Sequence, residues 1–271
     1  SVCSTCLVAA SHRVSVRGGD ELSRLADEFN ELTGRLQTTE EVRRRFVSDA
    51  SHELKTPLAS IRLLTDSLLQ ADHMDGETAR EFLNDIGDEA DRLTRITEKL
   101  LTLTRLDTAP AAEDVPVDVG AVVERVEHML SPLARAVEVS LELKLQPGCV
   151  VLATEDDLYQ IAFNLMENAV KYNLPGGRVL VTLTADGGRV VLRVEDTGVG
   201  IPKADLPKIF DRFYRVDKAR SRAAGGTGLG LSIVRDTVLQ HGGAVTARRR
   251  EPEGTCFEVS FAQWNGEEVG R

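Results

Sequence analysis

Apolar residues recur at alternating steps of three and four along long stretches of this chain, and no other feature narrows its fold so far. After Asp20, which is placed to cap a helix, Leu22, Leu25, Phe29, Leu32 and Leu36 form a first seam. This is the spacing of a coiled coil, in which one face of a helix packs on a partner. A second seam runs through Val47, Ala50, Leu54, Pro57, Ile61, Leu64 and Leu68. It starts eleven residues after Leu36, a heptad plus four, so a continuous helix would re-phase its packing face there. Such a joint suits a module that transmits rotation or bending; two unrelated helices that abut would read the same way.

Beyond the polar turn ADHMDG, residues Phe82, Ile86, Leu93, Ile96, Leu100 and Leu103 mark another long amphipathic helix that ends near Asp107. Two long helices and one short turn make a hairpin. A hairpin alone buries both seams poorly, so two copies are expected to pair into a four-helix bundle.

The stretch TAPAAEDVP, rich in Pro, acid and small residues, reads as a linker to a different architecture. Past it, the patterning predicts a helix over about residues 119 to 135, strands near 137 to 145 and 150 to 153, and a helix over about 155 to 172. Strands near 178 to 185 and 189 to 195 follow, joined at Asp186-Gly187, a hairpin signal. A helix near 229 to 240 and strands near 244 to 249 and 255 to 261 close the chain. The expected fold is therefore multidomain: an all-α hairpin, then an α+β sandwich with helices on one face of a mixed sheet.

Composition sets limits on function. The length of 271 residues suits two substantial units, and a net charge of -10 argues against a nucleic-acid partner, which would need a basic surface. Cys3, Cys6, Cys149 and Cys256 are too sparse and uneven for a disulfide framework, which points to a reducing compartment. The Cys3-x-x-Cys6 pair has no second ligand pair downstream and receives no role. No apolar run approaches the ~18 residues of a membrane span, and the start carries no secretory leader.

Four constellations carry chemistry. His52, in SDASHELKTPL, falls at the f position of its heptad and is expected to face solvent. Exposed imidazoles are largely unprotonated near neutral pH and available as nucleophiles, although a lone surface histidine is also common. Glu53 follows it, Thr56 lies one helical turn on, and Pro57 removes the amide that would bond the Glu53 carbonyl, so a kink or loosened turn is expected there.

Asn164, Asn168 and Lys171 share one stripe of the later helix. Asparagine costs a helix about half a kcal/mol against alanine, so two on one face call for a reason. A carbonyl oxygen suits Mg²⁺ already partly neutralised by phosphates, and the lysine suits the phosphates themselves; a polar solvent face is the plainer alternative. Asp196 stands at the mouth of the sheet in EDTGVGIP, where it can accept the adenine amine while Gly198 and Gly200 let backbone approach the base. Gly226, Gly228 and Gly230 in GGTGLGLSIV precede a helix, a phosphate cradle that would also fit a turn. A Rossmann reading fails, because no strand leads into these glycines and no acidic partner follows at the required spacing. Between them lies a basic lid with Arg212, Arg215, Lys218, Arg220 and Arg222, its base anchored by Phe210 and Phe213.

Together these motifs resemble the sensor histidine kinases of two-component systems, over nearly the whole chain from about residue 14. FVSDASHELKTPL is similar to the phosphoacceptor box, which implies that His52 is phosphorylated, Glu53 assists proton handling, and Thr56 positions water to hydrolyse the regulator's phosphoaspartate. NLMENAVKYN is similar to the family's asparagine box, implying Mg²⁺ on Asn168, phosphates near Asn164 and Lys171, and adenine beside Tyr172. DTGVGIP, IFDRFYRVD and GTGLGL match the remaining nucleotide motifs, which adds Asp196, Gly198, Gly200, Ile201, Phe210, Arg215, Gly226, Thr227, Gly228, Leu229 and Gly230 to the implied ATP site.

The nucleotide domain implied is of the Bergerat type. HRVSVRGGDELSRLADEFNELTGRL resembles the second half of a HAMP signal relay. The resemblance divides the chain into a relay segment over 1–40, a dimerising phosphotransfer hairpin over 41–108, a linker over 109–116, a catalytic domain over 117–263 and a tail. It implies ATP and Mg²⁺ as cofactors, a homodimer, a response-regulator receiver domain as partner, and a cytoplasmic place below a bacterial plasma-membrane anchor. Another ATPase or kinase of the same nucleotide fold, and a regulator-binding scaffold without catalysis, are the rival readings.

Overall fold

The structure, a computed structural model, describes residues 21–71, 75–108, 113–217 and 226–266. The cap expected at Asp20, the tip of the polar turn and the residues 218–225 of the lid lie outside these.

Helix α1 spans Glu21–Gln70 as one run of 50 residues, about 75 Å at 1.5 Å per residue, so both seams lie on a single helix. Pro57 sits inside it without ending it. The loosened turn expected beside His52 does not interrupt the run. Helix α2, Gly76–Thr108, starts behind Asp75, whose carboxylate accepts the amides of Glu77 at 3.0 Å and Thr78 at 2.8 Å. Those bonds, the Thr78 amide foremost, hold the Asp75 carboxyl below its ordinary value.

Ala50, Leu54, Pro57, Ile61, Leu64 and Leu68 are buried or half-buried against α2, where Ile96 and Leu103 are fully covered. The outer face differs. Leu25, Leu36, Val47, Leu58 and Leu69 recur every eleven residues, each more than half exposed. Eleven residues make just over three whole turns, so these side chains form a nearly straight row. The step from Leu36 to Val47 is therefore one repeat of an unbroken row, and the outer face is not re-phased where the heptads are. An apolar edge of this length calls for a second helix pair.

The rest of the chain is the expected sandwich. In order come β1 Val115–Asp118, α3 Val119–Ala136, β2 Ser140–Leu145, β3 Val150–Ala153, α4 Glu155–Lys171, β4 Arg178–Asp186, β5 Arg189–Asp196, α5 Gly230–Gln240, β6 Ala244–Arg249 and β7 Thr255–Ala262. Five strands form a sheet in the order β2-β4-β5-β7-β6, with β2 parallel to β4 and the other neighbours antiparallel. Alternate residues of β4 and β5, among them Val181, Leu183, Leu192 and Val194, are buried with Val123 and Val126 of α3, Ile161 and Leu165 of α4, and Val234 and Val238 of α5. One sheet face meets the helices, as alternation requires.

Two local expectations are corrected. The linker ends earlier than residue 116, because Val115–Asp118 pairs antiparallel with β3. Its proline, which argues against a central strand, is tolerated in a two-stranded ribbon that is all edge. The β4–β5 turn is Gly187-Gly188, one residue past the expected pair, since Asp186 still faces Arg189 in the ladder. Both glycines have positive φ, 56° and 75°, the geometry that a tight type I′ turn demands.

The sandwich docks on the hairpin. Leu103 of α2 is buried with Leu229 and Ile233, and Phe46, Leu100, Leu106 and Phe213 close around them. Phe213, expected to anchor the base of the lid, packs on Phe46 of α1 with ring centroids 6.0 Å apart. Arg212 lies over the same Phe46 ring at 5.1 Å and bonds Asp236 at 3.0 Å, which turns it away from the nucleotide motifs.

Candidate active site

A cleft of about 370 Å³ opens between the end of α4, the mouth of β5 and the base of the lid. It gathers residues from every nucleotide motif of the sequence. Asn168, Lys171 and Tyr172 come from α4 and its cap; Asp196, Gly200 and Ile201 from the end of β5; Arg215, Gly226, Thr227, Gly228 and Gly230 from the lid base and the start of α5. The latter half of α4 points its polar stripe here because its apolar stripe, Ile161, Leu165 and Ala169, is sealed into the core.

Asp196 is 5% exposed. Its Oδ1 accepts the amides of Gly198 at 2.8 Å and Thr255 at 3.2 Å, leaving Oδ2 as the oxygen available to a ligand's amine. Burial pushes its carboxyl above the ordinary aspartate value, and the two amide bonds partly oppose that. Lys171 pairs with Glu167 at 2.8 Å, one turn back on α4.

Four expected residues do not line the cleft. Gly198 approaches protein backbone and not a base: a Cβ there would stand 2.3 Å from the Tyr172 carbonyl, so the glycine lets the β5 loop pack on the end of α4. Asn164 is buried, its Nδ2 donating to the Gln160 carbonyl at 2.8 Å, and its Oδ1 fills the space a Gly230 side chain would take. Phe210 packs edge-on against Phe257, and Leu229 belongs to the docking core. Gly228 has φ 73° and accepts the Phe213 amide at 2.8 Å; a Cβ there would meet Phe213 backbone at 2.8 Å. Lys218, Arg220 and Arg222 fall outside the described residues.

His52 is exposed on α1, as its heptad position predicts, in a shallow hollow with Lys55, Thr56, Ala59, Ser60 and Leu63 that shares no residue with the cleft. The Thr56 hydroxyl donates to the His52 carbonyl at 3.2 Å. Glu53 turns the other way. Its carboxylate is bonded by Arg215 of the lid base, and Arg92 lies 3.9 Å from it. Arg215 also donates to the Gly226 carbonyl at 3.2 Å, and its Nε is buried with no partner among the described residues. No local pattern signals this ion pair between domains, nor Lys99, which enters the cleft from α2.

Residues 153–264 match the family model of the histidine kinase-, DNA gyrase B- and HSP90-like ATPases, and residues 42–109 match that of the His Kinase A (phospho-acceptor) domain. The chain is 35% identical over 257 residues to the sensor-like histidine kinase SenX3 of Mycolicibacterium smegmatis, covering 93% of this chain and 67% of that protein. It belongs to the sensor histidine kinases. The kinase is also 32% identical to the signal transduction histidine-protein kinase ArlS of Staphylococcus aureus over 89% of its own length and 54% of that of ArlS, so it spans between half and two thirds of these relatives. Among solved structures, full-length ShkA in complex with AMPPNP is 30% identical with a TM-score of 0.60, over 84% of this chain and 47% of that one. Histidine kinase ThkA in complex with response regulator TrrA has a TM-score of 0.69 over 91% of this chain and 68% of that one; at 20% identity it speaks for the fold. The kinase thus carries an ATP-binding domain and a phospho-acceptor hairpin. Among its described residues no helix is long and apolar enough to cross a membrane.

His241, at the end of α5, ties the linker to the catalytic domain. Its side chain is 2% exposed; Nε2 meets Asp157 of α4 at 2.9 Å, and Nδ1 sits 3.0 Å from Asp114, just before β1. The Asp114 contact lies off the hydrogen-bond line, which makes Asp157 the stronger partner. The bond to Asp157 raises His241 above its ordinary value against the effect of burial, and the same bond lowers Asp157. Arg105 of α2 adds to the lowering of Asp157. A raised histidine stabilises the fold fully below its unfolded value of ~6.5 and loses that contribution as pH rises through the folded value. A lowered aspartate does the reverse below ~3.9. Thermal unfolding should therefore show the parent losing stability above pH ~6.5 more steeply than His241→Gln; parallel curves would refute the clamp.

Proposed function

We propose that this chain is the cytoplasmic part of a membrane-anchored sensor kinase in which His52 takes the γ-phosphoryl group of ATP and passes it to an aspartate of a response-regulator receiver domain. The observation that carries the reading is Asp196, a buried carboxylate with one oxygen fixed by two amides and the other left for an adenine amine, in a chain that also presents an exposed histidine on a docked hairpin. The AMPPNP bound to ShkA and the regulator bound to ThkA support the same pairing of ligand and partner.

In this reading Asp196 selects adenine, Tyr172 covers it, and Lys171 and the unpaired Nε of Arg215 take phosphate oxygens. The Asn168 carbonyl would hold Mg²⁺. One neutral protein oxygen suffices for an ion whose other positions are filled by phosphates and water, and no acidic metal cluster exists among the described residues. The ion would neutralise charge on the phosphates during transfer.

The docked arrangement is a resting one, because His52 lies outside the cleft and Glu53 is held by Arg215. Nucleotide phosphates compete for Arg215, and its departure frees Glu53. With the domain swung to His52, an imidazole nitrogen attacks the γ-phosphorus, the bond to the β,γ-bridging oxygen breaks, ADP leaves, and the imidazole proton passes to Glu53. Thr56, exposed one turn away, orients the water that hydrolyses the regulator's phosphoaspartate.

Incubation with γ-labelled ATP should leave an acid-labile, alkali-stable label that passes to one member of a panel of receiver domains. In the same assay Thr56→Ala should keep the labelling and lose regulator dephosphorylation. Acid-stable label overturns the reading, and equal loss of both activities overturns the role of Thr56.

A further inference from the structure

Lys99 belongs to the hairpin, yet it lines the nucleotide cleft. Ile96, three residues before it, is fully buried, and Leu103, four after, is buried in the core that docks the two domains, so its place on the wall is fixed in part by that docking. Its Nζ lies 3.8 Å from where a Gly230 side chain would begin, at the start of α5. Burial lowers its amine below the ordinary lysine value; Lys171 and Arg95 push the same way, and Glu167 opposes them. Glu167 is already paired with Lys171. Among the described residues no carboxylate lies within 4.0 Å of Lys99 Nζ, although six charged groups of this region do find such partners: Glu53, Arg92, Glu167, Lys171, Arg212 and Arg215. A half-buried cation without a counter-ion, beside a second lysine and the start of a helix, is prepared for an anion.

We propose that Lys99 donates a hydrogen bond to a phosphate oxygen of the nucleotide, so that the phosphoacceptor hairpin forms one wall of the ATP site while the domains are docked. This rests on the reading of the cleft as the ATP site. While the domains are docked, bound nucleotide then bridges them, and its phosphates are read by residues of both. A lysine offers a point charge and no planar fork, so arginine can replace it here only as a cation of similar reach.

The test uses the whole chain and titrates ATP and adenosine into the parent, Lys99→Ala, Lys99→Arg and Asp196→Asn. Loss of one charge-assisted bond should weaken ATP binding by Lys99→Ala about tenfold and leave adenosine, which has no phosphate, bound as by the parent. Lys99→Arg should retain most of the ATP affinity. If Lys99→Ala binds ATP like the parent while Asp196→Asn loses both ligands, the proposal is overturned and the ATP site stands. If Lys99→Ala loses adenosine and ATP alike, Lys99 acts only on docking and the proposal is equally overturned. A parent that binds neither ligand overturns the ATP site and the proposal together.

Discussion

His52→Gln is expected to take up no label from γ-labelled ATP while binding ATP as tightly as the parent. Glutamine keeps the length and polarity of the side chain but offers an amide nitrogen whose lone pair is delocalised, so no nucleophile remains to accept the phosphoryl group. The substitution lies on the exposed outer face of α1, where replacements change stability by about 0.5 kcal/mol or less, so loss of labelling cannot be put down to unfolding. Label persisting at the parent's level would remove His52 from the reaction. His128, exposed on α3, would then be the next acceptor to test; His241 is sealed between two aspartates and is no candidate.

The second large effect is expected from Asp196→Asn, which should weaken ATP binding about a hundredfold. The amide oxygen of asparagine can keep the bonds from Gly198 and Thr255, so the fold of the β5 loop survives. What turns toward the ligand is then an NH₂ group, which meets the adenine amine donor to donor. The carboxyl of Asp196 is already raised by burial, which means that its ionised form costs the fold free energy above the unfolded value of ~3.9. Asp196→Asn should thus unfold at no lower temperature than the parent while losing its ligand, a separation of stability from function that calorimetry and thermal melting read independently. The same shift sets the pH dependence. Affinity of the parent should fall with acidification at a higher pH than an ordinary aspartate would give, and Asp196→Asn should show no such fall. A parent whose affinity is flat down to pH ~4 would contradict the assignment.

Much of the molecule was legible in its local patterns. Alternating steps of three and four marked α1 and α2, and the apolar stripe of α4 fixed which way Asn168 and Lys171 must point. Steric rules failed where the context was unusual. The strand Val115–Asp118 contains a proline that only an edge ribbon accepts, and the tight turn fell on Gly187-Gly188 because the ladder, not the dipeptide, set its register. Gly198 looked like an approach to the base and is instead an approach to the Tyr172 carbonyl, which no spacing along the chain could distinguish.

What the sequence by itself determined is the set of elements and the chemical character of each face, since these follow from interactions within a few residues. Only the tertiary structure decided which faces meet. Glu53 and Arg215 are 162 positions apart and His241 and Asp157 are 84 apart. Lys99 reads in sequence as one more polar residue on a hairpin helix. It becomes a cation in the ATP cleft because Leu103 packs on Leu229 and Ile233. Burial of those apolar side chains sets the docking, and the docking sets the electrostatics of the site.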